Sequence, residues 1–404
     1  MKNWDVKKLG EVCSFFNGQA HEKCIDENGK YKLINSKFVS SEGDNFKRTN
    51  NALSPLFVND IVMVMSDVPN GKTLAKCFVV DEDDTYTLNQ RICVIRSKNF
   101  DTRFLYYQLN RNKYLLSFDN GENQSNLRKD DILNCKLFVP PLPEQQHIVA
   151  ILDEAFAAIA KAKAIAEQNL KNSKELFESY LQGVFENPNN NWEKKKLGDI
   201  CGFVRGPFGG SLKKNIFKPD GYAVYEQQHA IYDQFDDLRY FIDEKKFNEM
   251  KRFELNSGDL IMSCSGTMGK IAIVPENIKK GIINQALLKL SPSKKVSNVF
   301  LKLWMQSESF QNSLKEYAGG AAIQNVASVS ILKNIEIPLP DISTQNNIVH
   351  KVLSFSAETK KLETIYQQKI NDLEELKKSI LQKAFSGELR GGEPVEPKTN
   401  ALAV

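Results

Sequence analysis

The chain has 404 residues, a formal net charge of +4 and a mean hydropathy of −0.40, with 41% hydrophobic residues. This length exceeds what one compact core supports, so we expect two or more domains. The sequence contains no apolar run of about eighteen residues, and MKNWDVKKLG at its start has no apolar core, so neither a membrane-spanning helix nor a secretory signal is predicted. The cysteines form no C-x-x-C pair and the histidines are scattered, which predicts reduced thiols, a cytoplasmic location and no metal site.

The sequence repeats itself. WDVKKLGEVCSFFNG at 4–18 and WEKKKLGDICGFVRG at 192–206 share eight of fifteen residues without a gap. Further along, Asn89-Gln90 recurs as Asn284-Gln285, and LFVPPLPEQQHIV at 137–149 recurs as IEIPLPDISTQNNIV at 335–349. Such self-similarity indicates one structural unit built twice.

Each repeat consists of a variable block followed by a segment of fixed length. The blocks contain short apolar runs, such as VMVMS and KIAIVP, broken by Gly, Asn, Asp and Pro. These runs predict strands of a mixed α/β (α+β) domain rich in turns. The excess positive charge lies in these two blocks and is compatible with a surface that faces phosphate, without requiring one.

The fixed segments predict two long helices. Apolar residues recur there at spacings of three and four, and each segment follows a proline-containing stretch. A helix of this length is roughly 65 Å long, too long for one small domain, so the two stripes are expected to form an antiparallel coiled coil with pseudo-twofold symmetry. The alternative is that each helix packs only on its own domain. The predicted segments are a first block at 1–143, a helix at 144–186, a linker at 187–191, a second block at 192–342, a helix at 343–389 and a disordered tail at 390–404.

This layout resembles the specificity subunit of type I restriction–modification enzymes. The resemblance is carried by W-x-x-K-K-L-G-[DE]-[VI]-C, which occurs twice, by RGPFGGSLKK at 205–214, SGTMGKIAIV at 265–274 and IQNVAS at 323–328, and by PLPEQQHIVAILD before a helix. The second block fits the pattern better than the first, where FNGQAHEK and MSDVPNGKTLAK replace the two glycine-rich loops.

The resemblance implies two target recognition domains that bind a bipartite, asymmetric site on double-stranded DNA. It also implies two methyltransferase subunits and restriction/translocase subunits as partners, with no membrane involved. S-adenosylmethionine, ATP and Mg²⁺ would then belong to those partners, and this chain would hold no cofactor and catalyse no reaction.

Polar and basic side chains on the predicted loops are the candidate DNA contacts, because Arg and Lys suit guanine and phosphate while Asn and Gln suit adenine. In the second block they are Arg205, Phe208, Ser211, Lys213, Lys214, Tyr225, Gln227, Gln228, Ser263, Ser265, Thr267 and Lys270. For the stretch with Tyr225, Gln227, Gln228 and His229, structural and DNA-binding roles are equally well supported. Gln324 and Asn325 favour a backbone-bonding role at a helix start.

The first block offers a comparable but less sharply defined set, since single polar residues are often only solvated surface. Its candidates are Lys32, Ser36, Lys37, Lys47, Arg48, Ser66, Lys72, Asn89, Arg91, Gln124, Asn126, Arg128 and Lys129. Aromatic residues of the helices, Phe177, Phe185 and Phe385, are candidates for binding the methyltransferase subunits, with a core role as the alternative.

The sequence also bears on other classes of function. An amino-methyltransferase carries an [DNS]-P-P-[YFW] motif, and the local candidate Asn187-Pro188-Asn189 lacks the second proline and the aromatic residue. The sequence also has no phosphate-binding glycine motif, so catalysis by this chain is not predicted. Two alternatives remain: a coiled-coil adaptor that binds only proteins, and a stand-alone DNA-binding protein without a restriction partner. Strong salt dependence of duplex binding would exclude the adaptor.

Overall fold

The computed structural model describes residues 4–21, 23–68, 71–97, 100–119, 121, 123–186, 192–317 and 329–388. The chain forms two compact units, residues 1–165 with 370–404 and residues 166–369. Each unit therefore contains one repeated block and a part of both fixed-length segments. The predicted linker at 187–191, the tail at 390–404 and Gln324 and Asn325 lie outside the described residues.

The first unit is a mixed α and β structure. Its strands are β1 (Asp5–Lys8), β2 (Ser14–Asn17), β3 (Tyr31–Ile34), β4 (Lys47–Thr49), β5 (Ile61–Val64), β6 (Ser66–Asp67), β7 (Cys77–Val79), β8 (Tyr86–Leu88), β9 (Ile92–Arg96), β10 (Ser125–Asn126) and β11 (Lys136–Val139). Its short helices are α1 (Leu9–Val12), α2 (Ser36–Ser40), α3 (Thr102–Leu109), α4 (Lys113–Leu116) and α5 (Lys129–Leu133).

Two sheets form the centre of the first unit. One is antiparallel with the order β2-β9-β5-β7, and the other has the order β4-β3-β8 with β3 parallel to β8. Strand β5 is buried on both sides: Ile61 and Met63 enter one hydrophobic cluster, while Val62 and Val64 enter another. This alternation follows from the two-residue period of a strand and explains why VMVMS reads as an unbroken apolar run.

The second unit repeats this arrangement. Its strands are β12 (Glu193–Lys196), β13 (Cys201–Arg205), β14 (Tyr222–Tyr225), β15 (Phe241–Ile242), β16 (Leu260–Ser263), β17 (Ile271–Ile273), β18 (Gly281–Ile283), β19 (Leu287–Pro292) and β20 (Glu336–Leu339). The helices before its last long helix are α7 (Leu197–Ile200), α8 (Gln227–Tyr232), α9 (Glu244–Glu249), α10 (Asn298–Gln306), α11 (Glu308–Tyr317) and α12 (Val329–Asn334), with 3₁₀ turns at Gly209–Ser211, Lys214–Ile216 and Lys251–Phe253.

The strand orders of the second unit match those of the first. The order β13-β19-β16-β17 corresponds to β2-β9-β5-β7, and β15-β14-β18 corresponds to β4-β3-β8. The parallel pair is again present, between β14 and β18. The sequence repeat is therefore a repeat of topology, as its spacing predicts.

The two long helices, which we number α6 and α13, span Leu142–Glu186 and Ile342–Ser386, with 45 residues each. Both begin slightly before the predicted positions, and the second ends earlier than predicted. In the first unit they run antiparallel: the Lys377 ammonium lies 5.0 Å from the centre of the Phe156 ring, and Lys163 lies 2.6 Å from Glu374. In the second unit, the rings of Tyr180 and Phe355 lie 4.4 Å apart. The predicted class, a mixed α and β protein with long paired helices, is confirmed.

The C-terminal end of each long helix packs against the other repeated block, not against the block that directly precedes the helix. Phe385, near the end of α13, packs against Phe104 of the first block, with ring centres 5.5 Å apart. Phe185, at the end of α6, packs against Phe300 of the second block at the same distance. The alternative in which each helix packs only on its own preceding block is thus wrong. Among the described residues, no helix is both long and apolar enough to cross a membrane.

A buried glutamine fixes the start of each long helix. Gln145 accepts a hydrogen bond from the backbone N–H of Asp101 at 2.8 Å and donates one to the Pro140 carbonyl at 2.8 Å. Gln345 does the same with Ser297 and Pro340, both at 2.8 Å. Asp101 and Ser297 cap helices α3 and α10, so one amide side chain joins the start of a long helix to the start of a short one in each unit.

Replacing Gln345 with Leu is expected to lower the free energy of unfolding by about 1–3 kcal/mol, because the Ser297 N–H and the Pro340 carbonyl would be left buried without a partner. Denaturant unfolding followed by circular dichroism measures the change. Asn346→Leu, at an exposed position of the same helix turn, is the control and should stay within about 0.5 kcal/mol of the native chain. Equal losses in both variants would contradict a structural role for the Gln345 amide.

Candidate nucleic-acid interface

Loops from both sheets of the second unit meet at one end of the sheets. The parallel strands β14 and β18 both end there, and the Asn284 N–H donates to the Tyr225 carbonyl at 2.9 Å. The loop after β13 joins them, because the Gly206 N–H donates to the Leu287 carbonyl at 2.9 Å. We call this surface the second edge; it consists of residues 205–208, 226–228, 263–267 and 284–286.

The first unit has an equivalent surface. The Asn89 N–H donates to the Ile34 carbonyl at 3.0 Å, and the Gly18 N–H donates to the Ile92 carbonyl at 3.0 Å. The Leu127 N–H donates to the Met65 carbonyl at 2.8 Å, which adds the loop before α5. We call this surface the first edge; it consists of residues 17–20, 35–37, 65–67, 89–91 and 124–127.

A glycine is required at the same place in both edges. A β-carbon on Gly206 would lie 1.8 Å from the Asn284 carbonyl oxygen, and one on Gly18 would lie 2.1 Å from the Asn89 carbonyl oxygen. No side chain fits at such a distance. The glycine that ends the repeated motif therefore lets the chain pass directly over the Asn-Gln turn, which explains why these two distant motifs repeat together.

Several predicted contacts of the second block surround one cleft of about 710 Å³. Arg205, Phe208 and Ser211 line it from the glycine-rich loop, and Arg252 and Gln285 line it from other elements. Lys213 and Lys214 follow on the exposed surface. Arg252 and Gln285 were not among the contacts predicted from the sequence. The repeated Asn-Gln pair was a usable signal for Gln285, whereas nothing in the local sequence distinguishes Arg252 from other exposed cations.

Two predicted contacts of the second block are buried and bonded internally. The Tyr225 hydroxyl donates to the Lys279 carbonyl at 2.5 Å, and burial raises the pKa of Tyr225 to about 12. The Ser263 hydroxyl donates to the Thr267 carbonyl at 2.6 Å and accepts from the Lys270 N–H at 3.0 Å. These two side chains are fully buried and shape the edge from within.

The glutamines after β14 differ in their bonding. The Gln228 amide donates to the Asp237 carbonyl at 3.1 Å and to its carboxylate at 3.2 Å, so its side chain is engaged within the unit. The Gln227 side-chain oxygen is buried and has no hydrogen-bond partner among the described residues. The remaining predicted residues of this region, Ser265, Thr267 and Lys270, reach the surface. His229 is buried between Glu226 and the Asp237 carbonyl.

In the first unit, most predicted residues come together at the first edge. Gln124 donates to the Ser66 hydroxyl at 2.8 Å, which links two loops that are far apart in sequence. Ser66 and Asn89 are themselves largely buried, whereas the others are wholly or partly exposed. The residues on or directly beside this edge are Ser36, Lys37, Ser66, Lys72, Asn89, Arg91, Gln124, Asn126, Arg128 and Lys129.

Three predicted residues lie within the three-stranded sheet of the first unit, not on the loops of the edge. Lys32 and Arg48 are paired across β3 and β4, and Lys47 lies opposite Leu33. The Lys32 ammonium lies 5.2 Å from the centre of the Phe46 ring, and Arg48 donates to the Gly29 carbonyl at 3.2 Å. The structure does not group these cations with the edge.

Asp67 holds the loop that carries Lys72. Its carboxylate accepts backbone hydrogen bonds from Val68 at 2.9 Å, from Thr73 at 2.6 Å and from Leu74 at 3.1 Å. Burial alone would raise the pKa of Asp67, but these hydrogen bonds outweigh it and hold the pKa below its ordinary value. The ionised carboxylate thus acts as a structural centre for the loop.

Three buried cysteines are poorly suited to nucleophilic catalysis. Burial raises the pKa of Cys264 to about 11, against an opposing effect of Arg205, and raises the pKa of Cys93 and Cys201 to about 12. Such thiols are protonated and weakly nucleophilic at neutral pH. The described part of the chain also contains no group of three or more His, Cys, Asp or Glu side chains that could hold a metal ion.

The aromatic residues predicted to bind methyltransferase subunits pack at least partly against the cores, as in the alternative given for them. Phe185 is buried, and Phe177 and Phe385 are partly buried against the cores of the second and first units, respectively. The exposed apolar residues of the long helices are different ones. They are Leu142, Ile165, Leu176, Ile342, Leu353, Leu362, Ile365 and Leu376.

Comparison with known proteins gives a consistent result. The family model described as type I restriction modification DNA specificity domain matches residues 1–168 and again residues 189–375. The type I restriction enzyme EcoBI specificity subunit of Escherichia coli is 27% identical over 75% of this chain and 69% of its own length. The putative type I restriction enzyme MjaX specificity subunit of Methanocaldococcus jannaschii is 22% identical over 96% of this chain and 94% of its own length.

Two solved structures share the fold. A chain from work on the complex assembly and conformational transition of the type I R-M system has a TM-score of 0.78 and 18% identity, covering 96% of this chain and 99% of that chain. The HsdS subunit from Thermoanaerobacter tengcongensis has a TM-score of 0.61 and 18% identity, covering 96% of this chain and 98% of that chain.

Replacing Gly206 with Ala is expected to destabilise the second unit by about 1–3 kcal/mol, since the added carbon must push the chain away from Asn284. Gly210→Ala is the matched control in the same loop, because a β-carbon there meets no atom within 4 Å. Thermal unfolding of the two variants tests this. If Gly206→Ala melts with the native chain, the close approach is not a real constraint.

Replacing Asp67 with Asn is expected to lower the Tm of the first unit at neutral pH. Because the folded pKa of Asp67 is lowered, its ionised form stabilises the fold above the unfolded pKa, near 3.8, and this contribution is lost as the pH falls through the folded pKa. The difference between native chain and variant should therefore shrink below about pH 4. Asp44→Asn, at an exposed carboxylate, is the control, and a difference independent of pH would contradict the assignment.

Proposed function

Because the chain belongs to the type I restriction–modification DNA specificity family, we propose that it selects the DNA target of such a complex, with the first edge contacting one part of a bipartite sequence and the second edge the other. Members of this family act as non-catalytic targeting subunits. The observation that carries the proposal is the presence of equivalent polar edges in both units, at the same end of the same sheets.

The two edges differ in the side chains that they present. Ser36 and Lys37 follow β3 in the first unit, where Gln227 and Gln228 follow β14 in the second. Hydroxyl, ammonium and amide groups match different donor and acceptor patterns of base pairs in the major groove. The two parts of the target should therefore differ in sequence, which makes the target asymmetric.

The surface chemistry supports a phosphate-facing role for each edge. Lys213 and Lys214 are exposed beside the second edge, and Arg128 and Lys129 are exposed beside the first. Exposed cations of this kind position a protein on the duplex without reading sequence, while amide and guanidinium groups on the loops discriminate bases. Both kinds of group occur on each edge, so each unit has what one recognition domain needs.

The partners follow from the proposed role. Two methyltransferase subunits would bind the exposed apolar residues of the long helices, among them Leu353, Leu362 and Ile365. Adenine methylation with S-adenosylmethionine and ATP- and Mg²⁺-dependent DNA cleavage would be carried out by the methyltransferase and restriction/translocase subunits. This chain would supply the target sequence and the surface on which those subunits assemble.

The test is base-modification sequencing of DNA from a host that expresses the chain with its methyltransferase. The native chain should confine N6-methyladenine to one bipartite motif. Arg91→Ala should relax or abolish recognition of one part of that motif, and Gln227→Ala should affect the other part, because each removes a candidate base contact, worth about 1–3 kcal/mol, from one edge.

Lys136→Ala is the control, since Lys136 is exposed on the β1–β11 ribbon outside both edges, and it should leave the motif unchanged. A stable complex with the methyltransferase that adds no modification to any motif would overturn the proposed role and favour a protein-only adaptor.

A further inference from the structure

The side chain of Phe208 is an apolar aromatic ring that projects into solvent. Its exposed fraction is 93%, the highest among the large hydrophobic residues that the structure describes. The backbone around it is fixed: Gly206 is bonded to Leu287, Pro207 is buried, and the Ser211 N–H donates to the Phe208 carbonyl at 2.9 Å. The turn therefore presents the whole phenyl ring to solvent in a fixed position, where its faces are accessible for stacking.

The charge around Phe208 indicates what that partner is. The cleft beside the ring is lined by Arg205, Lys246, Arg252 and a single carboxylate, Glu249, which lies 3.0 Å from Lys246. Within the described part of the chain, the Arg252 guanidinium makes neither an ion pair nor a hydrogen bond. A net positive cleft next to an exposed aromatic ring suits a polyanion with stacked bases better than an apolar protein surface.

The first unit lacks this feature at the equivalent position. Gly18 and Gly206 make the same close approach, and two residues later stand Ala20 and Phe208, respectively. Ala20 is exposed as well, but a methyl group offers no stacking surface. The two edges thus share a backbone path and differ in whether a ring projects from it.

We propose that Phe208 inserts between two neighbouring base pairs of double-stranded DNA at the part of the target contacted by the second edge, partly unstacking that one step. This inference rests on the proposed DNA-targeting function. Arg205 and Arg252 bind the phosphates beside the opened step, which brings their charge to the backbone while the ring replaces base stacking. Apolar side chains inserted in this way kink the duplex.

Insertion gives this chain a way to select sequence without a hydrogen bond. Pyrimidine–purine steps open more readily than others, so the step next to Phe208 is expected to be of this kind. The first edge, with Ala20, reads its part of the target on an undistorted duplex. The two parts of the target then differ in how they are recognised as well as in sequence.

The experiment uses the complex of the full chain with its methyltransferase and a duplex carrying the bipartite target. The fluorescent base 2-aminopurine replaces one purine at a time in both parts of the target, and the adenine that becomes methylated is left unmodified in every probe. Fluorescence should rise severalfold on binding at one step of the part contacted by the second edge.

Phe208→Ala should abolish that rise and weaken binding about tenfold to a hundredfold, the range expected for loss of one aromatic stacking contact. Phe208→Trp should restore both. Tyr232→Ala, which removes an exposed aromatic ring outside both edges, is the matched control in the second unit and should change neither. Because the ring is exposed, Phe208→Ala should keep the native Tm, which excludes misfolding as the cause.

Other outcomes separate this inference from the function on which it rests. If Phe208→Ala binds and methylates the motif but the fluorescence rise persists, insertion by Phe208 is wrong while targeting stands. If Phe208→Ala no longer assembles with the methyltransferase, the ring contacts protein and the inference is wrong. If the native complex shows no sequence-specific binding at all, the proposed function itself fails.

Discussion

The burial of each long helix end in the core around the opposite repeated block is the constraint on which the rest of the structure depends. The last turns of α13 contribute Ala384 and Phe385 to the core of the first unit, and the last turns of α6 contribute Leu181 and Phe185 to the core of the second. Neither block completes its core with its own strands and short helices. Separate expression of either block should therefore leave apolar surface uncovered, and both fixed-length segments are needed for each unit.

Backbone hydrogen bonds and close backbone contacts build the two edges. Asn89 and Asn284 close equivalent turns over the ends of a parallel strand pair, and Gly18 and Gly206 let a third chain segment cross them. These hydrogen bonds join main-chain atoms, so they do not depend on which side chains the neighbouring residues carry. The edge can therefore keep its shape while the side chains that it presents differ between the two units.

A protein that selects a DNA sequence requires a backbone whose shape stays the same when the side chains on it change. A rigid path fixes where each side chain stands relative to the duplex, and substitution at a few positions then changes the preferred bases. The difference between Ala20 and Phe208 illustrates how far such a change can go, since one position carries a methyl group and the other a ring able to stack with bases. The two units thereby present different chemistry on one architecture.

The repeat, the mixed α and β class, the two long helices and the loops that carry most candidate contacts could all be predicted from the sequence alone. These features depend on local periodicity, turn residues and self-similarity, all of which are visible in one chain. Sequence patterns also recovered the family, because its motifs occur in order and at both copies.

Which polar residues face solvent, and which distant residues share a surface, depends on the packing of the folded chain and could not be predicted from the sequence. Tyr225 and Ser263 stand in promising motifs but are buried, whereas Arg252 has no motif and lines the same cleft as Arg205. Phe185 is buried in the core of the second unit, and Phe385 is partly buried against the core of the first. Burial is set by packing between segments far apart in the chain, and no local pattern encodes which neighbour will cover a given side chain.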